Sequence, residues 1–195
     1  NNTPGISGQK EMIQAIYLYG SEVLRKVAEP FDLNDTEGLK ALIQDLKDTL
    51  KVADGCGLAA PQIGVSKRVV IVDGDVVSDG YPYLKGFFRT LINPVVVSES
   101  EKKCEFSEGC LSVPGIYADV VRPESITVEY YNENLEKVTE TFDKFGCRMV
   151  QHELSHLDGC IFTDLVAPIR KKMVAGKLNN IARGKVGTQY KAKIK

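Results

Sequence analysis

The sequence predicts an α+β fold in which mainly antiparallel strands pack around a central helix that carries the pattern HExxH, with a further helix at the C-terminal end. Two observations support this class. Short runs rich in β-branched and aromatic residues fill the middle of the chain, and segments with helical periodicity lie on either side of them. Strands and helices therefore do not alternate regularly, as a doubly wound parallel sheet would require.

The first helix is predicted from apolar residues that recur every three or four positions. These residues are Leu39, Leu42, Ile43, Leu46 and Leu50. Asp35 or Thr36 is a suitable N-cap, and Gly55 is the expected stop. The pattern indicates an amphipathic helix with one buried face.

Four strands are predicted after this helix. Their runs are RVVIVD (68–73), LINPVVV (91–97), SITVEYY (125–131) and KVTETF (137–142). The Asn-Glu-Asn segment at 132–134 separates the last two runs and predicts a hairpin turn. Because Pro94 cannot donate a backbone hydrogen bond, its strand should be an edge strand or contain a bulge.

Two helices are predicted in the last third of the chain. The helix with the HExxH pattern should run from about Asp143 to Leu157, with Gly159 in the left-handed position that ends many helices. The last helix should begin at Pro168, which the first helical turn accepts, and end near Gly184.

Length and composition indicate one soluble domain. The chain has 195 residues, 43% of them hydrophobic and 26% charged. No run approaches the roughly 18 apolar residues of a membrane-spanning helix. Five cysteines without a CxxC pair favour a reducing compartment. Residues 1–12 are expected to be a flexible lead-in, a processed end or an expression remnant.

The C-terminal segment, residues 167–195, is a separate electrostatic unit. It carries nine basic and no acidic residues, or +9, against −10 for the rest of the chain. A solvated basic helix with a frayed end and a helix that docks on a polyanion such as RNA both fit this charge.

The segment QHELSH contains both histidines of the chain, and its spacing predicts a metal site. On a helix His152 and His156 lie about 40° apart around the axis and one turn along it, so both can bind one ion. Glu153 lies roughly 100° from His152, near enough to act on a water molecule at the metal. A chance pattern on a surface helix is the alternative.

A catalytic site needs a third protein ligand and an open position. The chain has no third histidine. The acidic residues after the motif, Asp158 and Asp164, follow it too closely for their side chains to turn back to the metal. The third ligand should therefore come from upstream, where the candidates are cysteines.

Cys110 is the best candidate among the cysteines. It lies in EGCLSVPG, a turn-rich segment with free backbone amides, whereas Cys104 lies among charges at an apparently exposed edge. Cys147 and Cys160 fall off the face shared by the two histidines. A thiolate with two imidazoles is a known catalytic ligand set, although an inert buried thiol stays the alternative.

The segment GCGLAAPQIG (55–64) contains GxGxxA but does not predict a dinucleotide site, which needs a strand before the glycines and a helix after them. A loop of small residues instead lets a ligand or another backbone come close, and Gln62 offers a neutral amide donor. A tight connection packed under the sheet is the alternative.

Three motifs together resemble the peptide deformylase family. The family pattern GxGLAAPQ, EGCLS and QHExxH appears here in the same order as GCGLAAPQ (55–62), EGCLS (108–112) and QHELSH (151–156). The likeness extends from about Ile16 to about Asp164. It implies a catalytic domain over residues 13–166, followed by the basic helix and tail at 167–195.

The resemblance implies a metallohydrolase that removes the N-formyl group from the N-terminal formylmethionine of new polypeptides and releases formate. By motif position Cys110, His152 and His156 would bind one divalent metal ion. Fe(II) is the metal expected in the cell, while Zn(II), Ni(II) or Co(II) can occupy the same site. Glu153 would be the general base and then the general acid.

The resemblance also implies how the substrate is held. Gln62, through its side-chain amide, and Leu111, through its backbone N–H, would donate hydrogen bonds to the formyl oxygen. The backbone near Cys56, Gly57 and Gly109 would hold the peptide. The expected partners are the nascent formylated polypeptide and, through the basic tail, the ribosome, with no membrane and no DNA. A bacterial-type cytoplasmic location is expected.

Two positions depart from the family pattern. Ser155 replaces an aspartate that could pair with an arginine such as Arg122, and Cys56 replaces an aliphatic residue. We expect Ser155 to tune the site without abolishing activity, and Cys56 to widen the methionine pocket slightly. A zinc peptidase with an unusual ligand set and a structural metal site on an RNA-binding protein are the alternative functions.

Overall fold

A computed structural model describes residues 13–195, so the expectation for residues 1–12 lies outside the described residues. The helices and strands, in chain order, are β1 (Ile16–Tyr17), α1 (Thr36–Ala53), β2 (Gly57–Ala59), β3 (Val69–Asp73), β4 (Phe88–Glu99), β5 (Lys103–Cys110), β6 (Val113–Pro123), β7 (Ser125–Tyr131), β8 (Lys137–Asp143), α2 (Lys144–Leu157), α3 (Pro168–Ala182) and β9 (Ala192–Lys193).

The central sheet has five strands in the order β2, β3, β4, β7, β8, and every neighbouring pair is antiparallel. The four predicted runs lie in β3, β4, β7 and β8, and the turn between the last two begins at Asn132, as expected. The α+β prediction is therefore confirmed.

Successive residues of β3 point to opposite faces of the sheet and so separate two hydrophobic cores. Val70 and Val72 pack with α2, while Val69 and Ile71 pack with α1 around the fully buried Leu46. Truncating a side chain such as Leu46 to alanine typically costs about 2 to 5 kcal/mol. The sheet thus fixes α2 on one face and α1 on the other.

The ends of α1 and α2 follow local chemistry. The Asp35 side chain accepts a hydrogen bond from the Gly38 amide at 3.0 Å and caps α1, whereas Asp54, with φ 57°, takes the left-handed position expected for Gly55. Gly159 has φ 75° beyond α2, as predicted, and a Cβ there would lie 2.6 Å from the Arg25 carbonyl oxygen.

Pro94 lies at a bulge in an interior strand, so the edge-strand alternative is wrong. β4 pairs with β3 on one side and β7 on the other, and its register with β7 shifts between Ile92 and Val95. Asn93 has φ 50°, and its side-chain amide bonds both backbone groups of Phe31. The bulge therefore places Pro94 where no ladder hydrogen bond is needed.

Strands β5 and β6 form a second antiparallel sheet that the sequence did not predict. The segment read as turn-rich begins only after Cys110, which ends β5 and pairs with Val113 across a two-residue turn. Cys104 is half-buried, in a strand at the edge of a two-stranded sheet. Charged residues alternate with the inward-facing ones along β5, so its apolar signal is weak.

The chain after α3 does not end in a frayed segment, so the frayed end of that alternative is wrong, whereas most residues of α3 are exposed as a solvated helix requires. Strand β9 pairs in parallel with β1, and Val174, Leu178 and Ile181 of α3 are buried in a third core. α3 ends two residues before Gly184. Within residues 13–195 no helix is long and apolar enough to cross a lipid bilayer.

Candidate metal centre

Three separate segments meet at one cavity of about 800 Å³. The loop before β2, the end of β5 and one face of α2 line it. Phe145, Met149, His152 and Glu153 recur along α2 at the spacing that places side chains on one face. The cleft is therefore built by packing α2 between the central sheet and the β5–β6 hairpin.

The predicted ligands come together beside this cavity, which Cys110 and His152 line. One ligand atom from each of Cys110, His152 and His156 lies within 4.8 Å of the other two. The Cys110 Sγ to His156 Nε2 distance is 3.3 Å, close to the roughly 3.6 Å that tetrahedral metal–sulfur and metal–nitrogen bonds would give. The donors fit a divalent ion of the zinc or ferrous type.

Glu108 fixes the orientation of His152. Its Oε1 lies 2.8 Å from His152 Nδ1, and an ionised carboxylate can only accept a hydrogen bond there. His152 Nδ1 therefore carries the proton, which leaves Nε2 free to bind a metal. In the sequence Glu108 is only a neighbour of Cys110, and no motif there predicts this contact.

Two arginines share the Glu108 carboxylate. Arg122 donates from Nε at 2.8 Å and from Nη2 at 3.0 Å, and Arg148 donates from Nη1 at 3.2 Å. Burial alone would raise the pKa of Glu108, but the hydrogen bonds from His152 and Arg122 outweigh it and hold the pKa at about 2. Glu108 is therefore ionised throughout the physiological pH range.

Arg148 is a second residue of the site that the sequence motifs do not predict. It lies four residues before His152 on α2, so both side chains share one face and reach the same carboxylate. Its guanidinium also donates to the carbonyl oxygens of Cys104 and Val120, at 2.9 Å and 2.5 Å. It ties α2 to both strands of the hairpin that carries Cys110. The i to i+4 spacing from His152 was the available signal.

Ser155 lies next to Arg122, as the sequence analysis expected. Arg122 Nη1 donates to Ser155 Oγ at 2.8 Å, and Ser155 Oγ donates to the Gln151 carbonyl oxygen at 2.9 Å. A neutral hydroxyl thus occupies the place where an aspartate would pair with Arg122. Glu108 therefore balances two buried guanidinium groups.

Glu153 is buried beside the ligands and has a free oxygen. Its Oε2 has no hydrogen-bond partner among the described residues. Burial raises the pKa of Glu153 to about 7, even though the neighbouring His152 opposes the shift. Gly57 makes room for the carboxylate, because a Cβ at that position would lie 2.7 Å from Glu153 Oε1. A group with this pKa exchanges protons readily at neutral pH.

The two imidazoles titrate in opposite directions. Burial by itself would lower both pKa values, but Cys110 and Glu108 raise the pKa of His152 to about 10. Burial and the charge of His152 hold the pKa of His156 well below its usual value. Because histidine binds metal in its neutral form, metal binding at neutral pH should release a proton.

Gln62 projects from the loop to the ligands with a defined orientation. Its Oε1 accepts a hydrogen bond from the Ala59 amide at 2.9 Å, so its Nε2 faces the cavity. That nitrogen donates to Ser112 Oγ at 3.0 Å and lies 3.5 Å from Cys110 Sγ. The side-chain amide is therefore a fixed donor beside the ligands.

The remaining predicted residues also line the cavity. They are Cys56, Gly57, Gly109 and Leu111. Burial, with a smaller contribution from Glu153, raises the pKa of the Cys56 thiol to about 12, so it stays protonated. A Cβ at Gly109 would lie 2.4 Å from the Tyr117 ring. In the described part of the chain, the three-ligand group contains Cys110 and no other cysteine.

Comparison with known proteins identifies the family. The profile of the family described as Polypeptide deformylase matches residues 13–172. The peptide deformylase of Flavobacterium psychrophilum is 41% identical over 190 residues, covering 94% of this chain and 97% of that protein.

Solved structures agree with this assignment. The crystal structure of a peptide deformylase from Legionella pneumophila is 39% identical, has a TM-score of 0.76, and covers 89% of this chain and 97% of that one. A Met-Ala-Ser-bound class I type b peptide deformylase from Acinetobacter baumannii is 31% identical, with a TM-score of 0.73 and coverage of 80% and 100%. The chain belongs to the polypeptide deformylase family, whose members are metal-dependent hydrolases that remove the N-formyl group from N-terminal formylmethionine.

Proposed function

We propose that this chain removes the formyl group from the formylmethionine of new polypeptides at the centre formed by Cys110, His152 and His156. The observation that carries the proposal is the convergence of these three ligand atoms within 4.8 Å of one another, beside the buried Glu153. Cys110 and His152 line the cavity, and three protein ligands beside an open cavity are typical of a catalytic metal site, whereas a structural site has a fourth protein ligand.

The proposed cofactor is one divalent metal ion per chain, with Fe(II) as the metal in the cell. One thiolate and two imidazoles also suit Zn(II), Ni(II) and Co(II), so the ion in a preparation depends on supply. When bound, such an ion polarises the formyl carbonyl and makes water available as a nucleophile with a pKa of about 7.

Glu153 moves the proton in this proposal. Its unpartnered Oε2 and its pKa of about 7 suit a base that accepts a proton from the attacking water. The new bond joins the water oxygen to the formyl carbon, and the bond from that carbon to nitrogen breaks. Glu153 then gives its proton to the departing nitrogen, which yields formate and a free amine.

Gln62 and Leu111 stabilise the charge that develops on the formyl oxygen. The Gln62 Nε2 group is already oriented towards the ligands by the Ala59 amide. Leu111 directly follows Cys110 in the chain, and both residues line the cavity, so the Leu111 N–H lies close to the ligands. Removing one donor of this kind typically costs about 3 kcal/mol of transition-state stabilisation.

The substrate lies between two strand edges in this proposal. β2 is the outer strand of its sheet, so its backbone at Gly57 is available to an extended peptide. Cys56, whose carbonyl is bonded to the Asp73 amide, and Gly109 of β5 line the same cavity. Phe145 and Met149 offer an apolar lining for the methionine side chain. The Met-Ala-Ser binding of the Acinetobacter baumannii protein supports a substrate of this class.

The ribosome is the proposed partner, and the cytoplasm the proposed location. The partner is supported by Lys171, Lys172 and Lys177 of α3, which are exposed and can contact a polyanion. The location is supported by the five cysteines, whose free thiols suit a reducing compartment. Reversing these three lysines to glutamate should weaken co-sedimentation with ribosomes at low salt and leave tripeptide deformylation unchanged. Equal ribosome binding by the variant and the parent would contradict this part of the proposal.

Formate release from formyl-Met-Ala-Ser tests the proposed reaction. Anaerobically prepared, iron-loaded protein should release formate, and the Glu153→Gln variant with equal metal content should lose this activity. Cleavage of an internal peptide bond without formate release would favour the zinc-peptidase alternative. No turnover by the metal-replete parent protein would contradict the proposal.

A further inference from the structure

The last residues of the chain return to the active-site cavity. After α3 ends at Ala182, residues 187–193, here called the C-terminal strap, run back across the molecule. Residues Gly187 to Tyr190 line the cavity together with Leu111 and Val113. Part of the segment that was predicted to be a basic tail therefore lines the site.

The strap is anchored to the body of the protein at its end. The amides of Ile16 and Leu18 donate to the carbonyl oxygens of Lys191 and Lys193 at 2.9 Å and 2.8 Å. Ile16 is fully buried, so strand β1 is itself fixed in the core. These hydrogen bonds fix the backbone on the C-terminal side of Tyr190.

The Tyr190 hydroxyl donates a hydrogen bond to the Leu111 carbonyl oxygen. The Tyr190 ring packs against two hydrophobic cores, the one beneath α1 and the one beneath α3. The Tyr190 carbonyl in turn accepts from the Thr188 hydroxyl at 2.5 Å. The phenol is therefore held at the hairpin turn, where Gln62 bonds the next residue, Ser112.

Leu111 and Ser112 form the two-residue turn between β5 and β6, where ladder hydrogen bonds stop. Ser112 is fixed twice, because its hydroxyl accepts from Gln62 Nε2 at 3.0 Å and its carbonyl accepts from the Tyr19 amide at 2.8 Å. Leu111 is fixed through its carbonyl by Tyr190. The turn is thus held by one contact from the strap and two from the body.

We propose that Tyr190 is a positioning residue that orients Leu111, so that the Leu111 N–H points at the formyl oxygen during the reaction. The inference rests on the proposed function, in which this N–H is one of two donors to that oxygen. The Leu111 N–H lies in the peptide plane shared with Cys110, and the Leu111 carbonyl lies in the next plane, so the two planes meet at the Leu111 Cα. Cys110 is paired with Val113 on one side of the N–H plane, and fixing the Leu111 carbonyl holds the Cα on the other side, which restricts rotation of the N–H. Donors contribute most when they are aligned before charge develops.

Steady-state kinetics of Tyr190→Phe test the inference, because this change removes only the hydroxyl. We expect kcat to fall about tenfold, the upper range for losing one hydrogen bond, with KM changed less than about twofold. Tyr131→Phe, in β7 outside the cavity lining, is the matched control and should behave like the parent. An unchanged kcat, or a raised KM with unchanged kcat, would overturn the inference.

Amide hydrogen exchange supplies a readout that does not depend on turnover. Exchange at residues 109–113 should become faster in Tyr190→Phe and stay unchanged in Tyr131→Phe, measured well below the melting temperature. Equal exchange in both variants would also overturn the inference. If the parent protein with metal bound releases no formate, the proposed function fails instead, and the exchange result still decides whether Tyr190 orders the turn.

Discussion

The Glu108 carboxylate lies 2.8 Å from Nδ1 of His152 and receives two further hydrogen bonds from Arg122. One buried anion therefore sets the tautomer of a metal ligand and neutralises an arginine behind it. Arrangements of this kind raise the basicity of the ligand and fix its ring plane.

Glu108→Gln should weaken metal binding by about 10- to 100-fold, because the amide neither fixes the His152 tautomer nor supplies negative charge. Chelator competition with Co(II) measures the affinity, with circular dichroism to verify folding. Glu105→Gln, on the exposed face of the same strand, is the control and should bind like the parent. Equal affinities for both variants would contradict the assigned role of Glu108.

The stability of the metal-free protein should depend on Glu108 in a defined pH window. The folded-state pKa of Glu108 is about 2, below the ordinary value of 4.5. Its stabilisation is therefore complete above about pH 4.5 and is lost as the pH falls towards 2. Glu108→Gln should cost about 3 to 5 kcal/mol at neutral pH, since it leaves two buried arginines without a counter-ion.

Urea unfolding at several pH values tests this prediction. The difference in unfolding free energy between the parent and Glu108→Gln should shrink steadily below about pH 4.5. A difference that stays constant down to pH 3 would mean that the carboxylate charge does not stabilise the fold.

Ser155→Asp should stabilise the protein by about 1 kcal/mol, because the new carboxylate can accept the hydrogen bond that Arg122 Nη1 now gives to the hydroxyl. Thermal unfolding of the metal-loaded protein measures the effect. Ser155→Asn has nearly the same shape without the charge, and it should show no such gain. A gain of equal size from asparagine would assign the effect to packing.

Gly57→Ala should reduce kcat by about 100-fold with little loss of stability. The new Cβ would lie 2.7 Å from Glu153 Oε1 and would therefore displace the carboxylate. The comparison is formate release by metal-replete protein. Gly176→Ala, in α3 with nothing within 4 Å of the added Cβ, is the control for a glycine substitution and should keep full activity. Normal turnover by Gly57→Ala would show that the carboxylate position is not critical.

The sequence by itself determined the residues that could form the site and the family to which the chain belongs. HELSH on a predicted helix placed His152 and His156 on one face, and the lack of a suitable downstream acid directed the third ligand to Cys110. The main helices and four strands followed from periodicity, because their apolar residues face a core at regular intervals.

Only the tertiary structure decided what surrounds those ligands. Glu108 and Arg122 come from strands β5 and β6, and alternating charged residues make the apolar pattern of β5 weak in the sequence. The two residues meet Arg148 of α2 only because the hairpin packs on that helix. Tyr190 reaches Leu111 because β9 pairs with β1, and the paired residues Ile16 and Ala192 are 176 positions apart in the chain. Contacts between residues so distant in the chain depend on packing and register, which local periodicity does not encode.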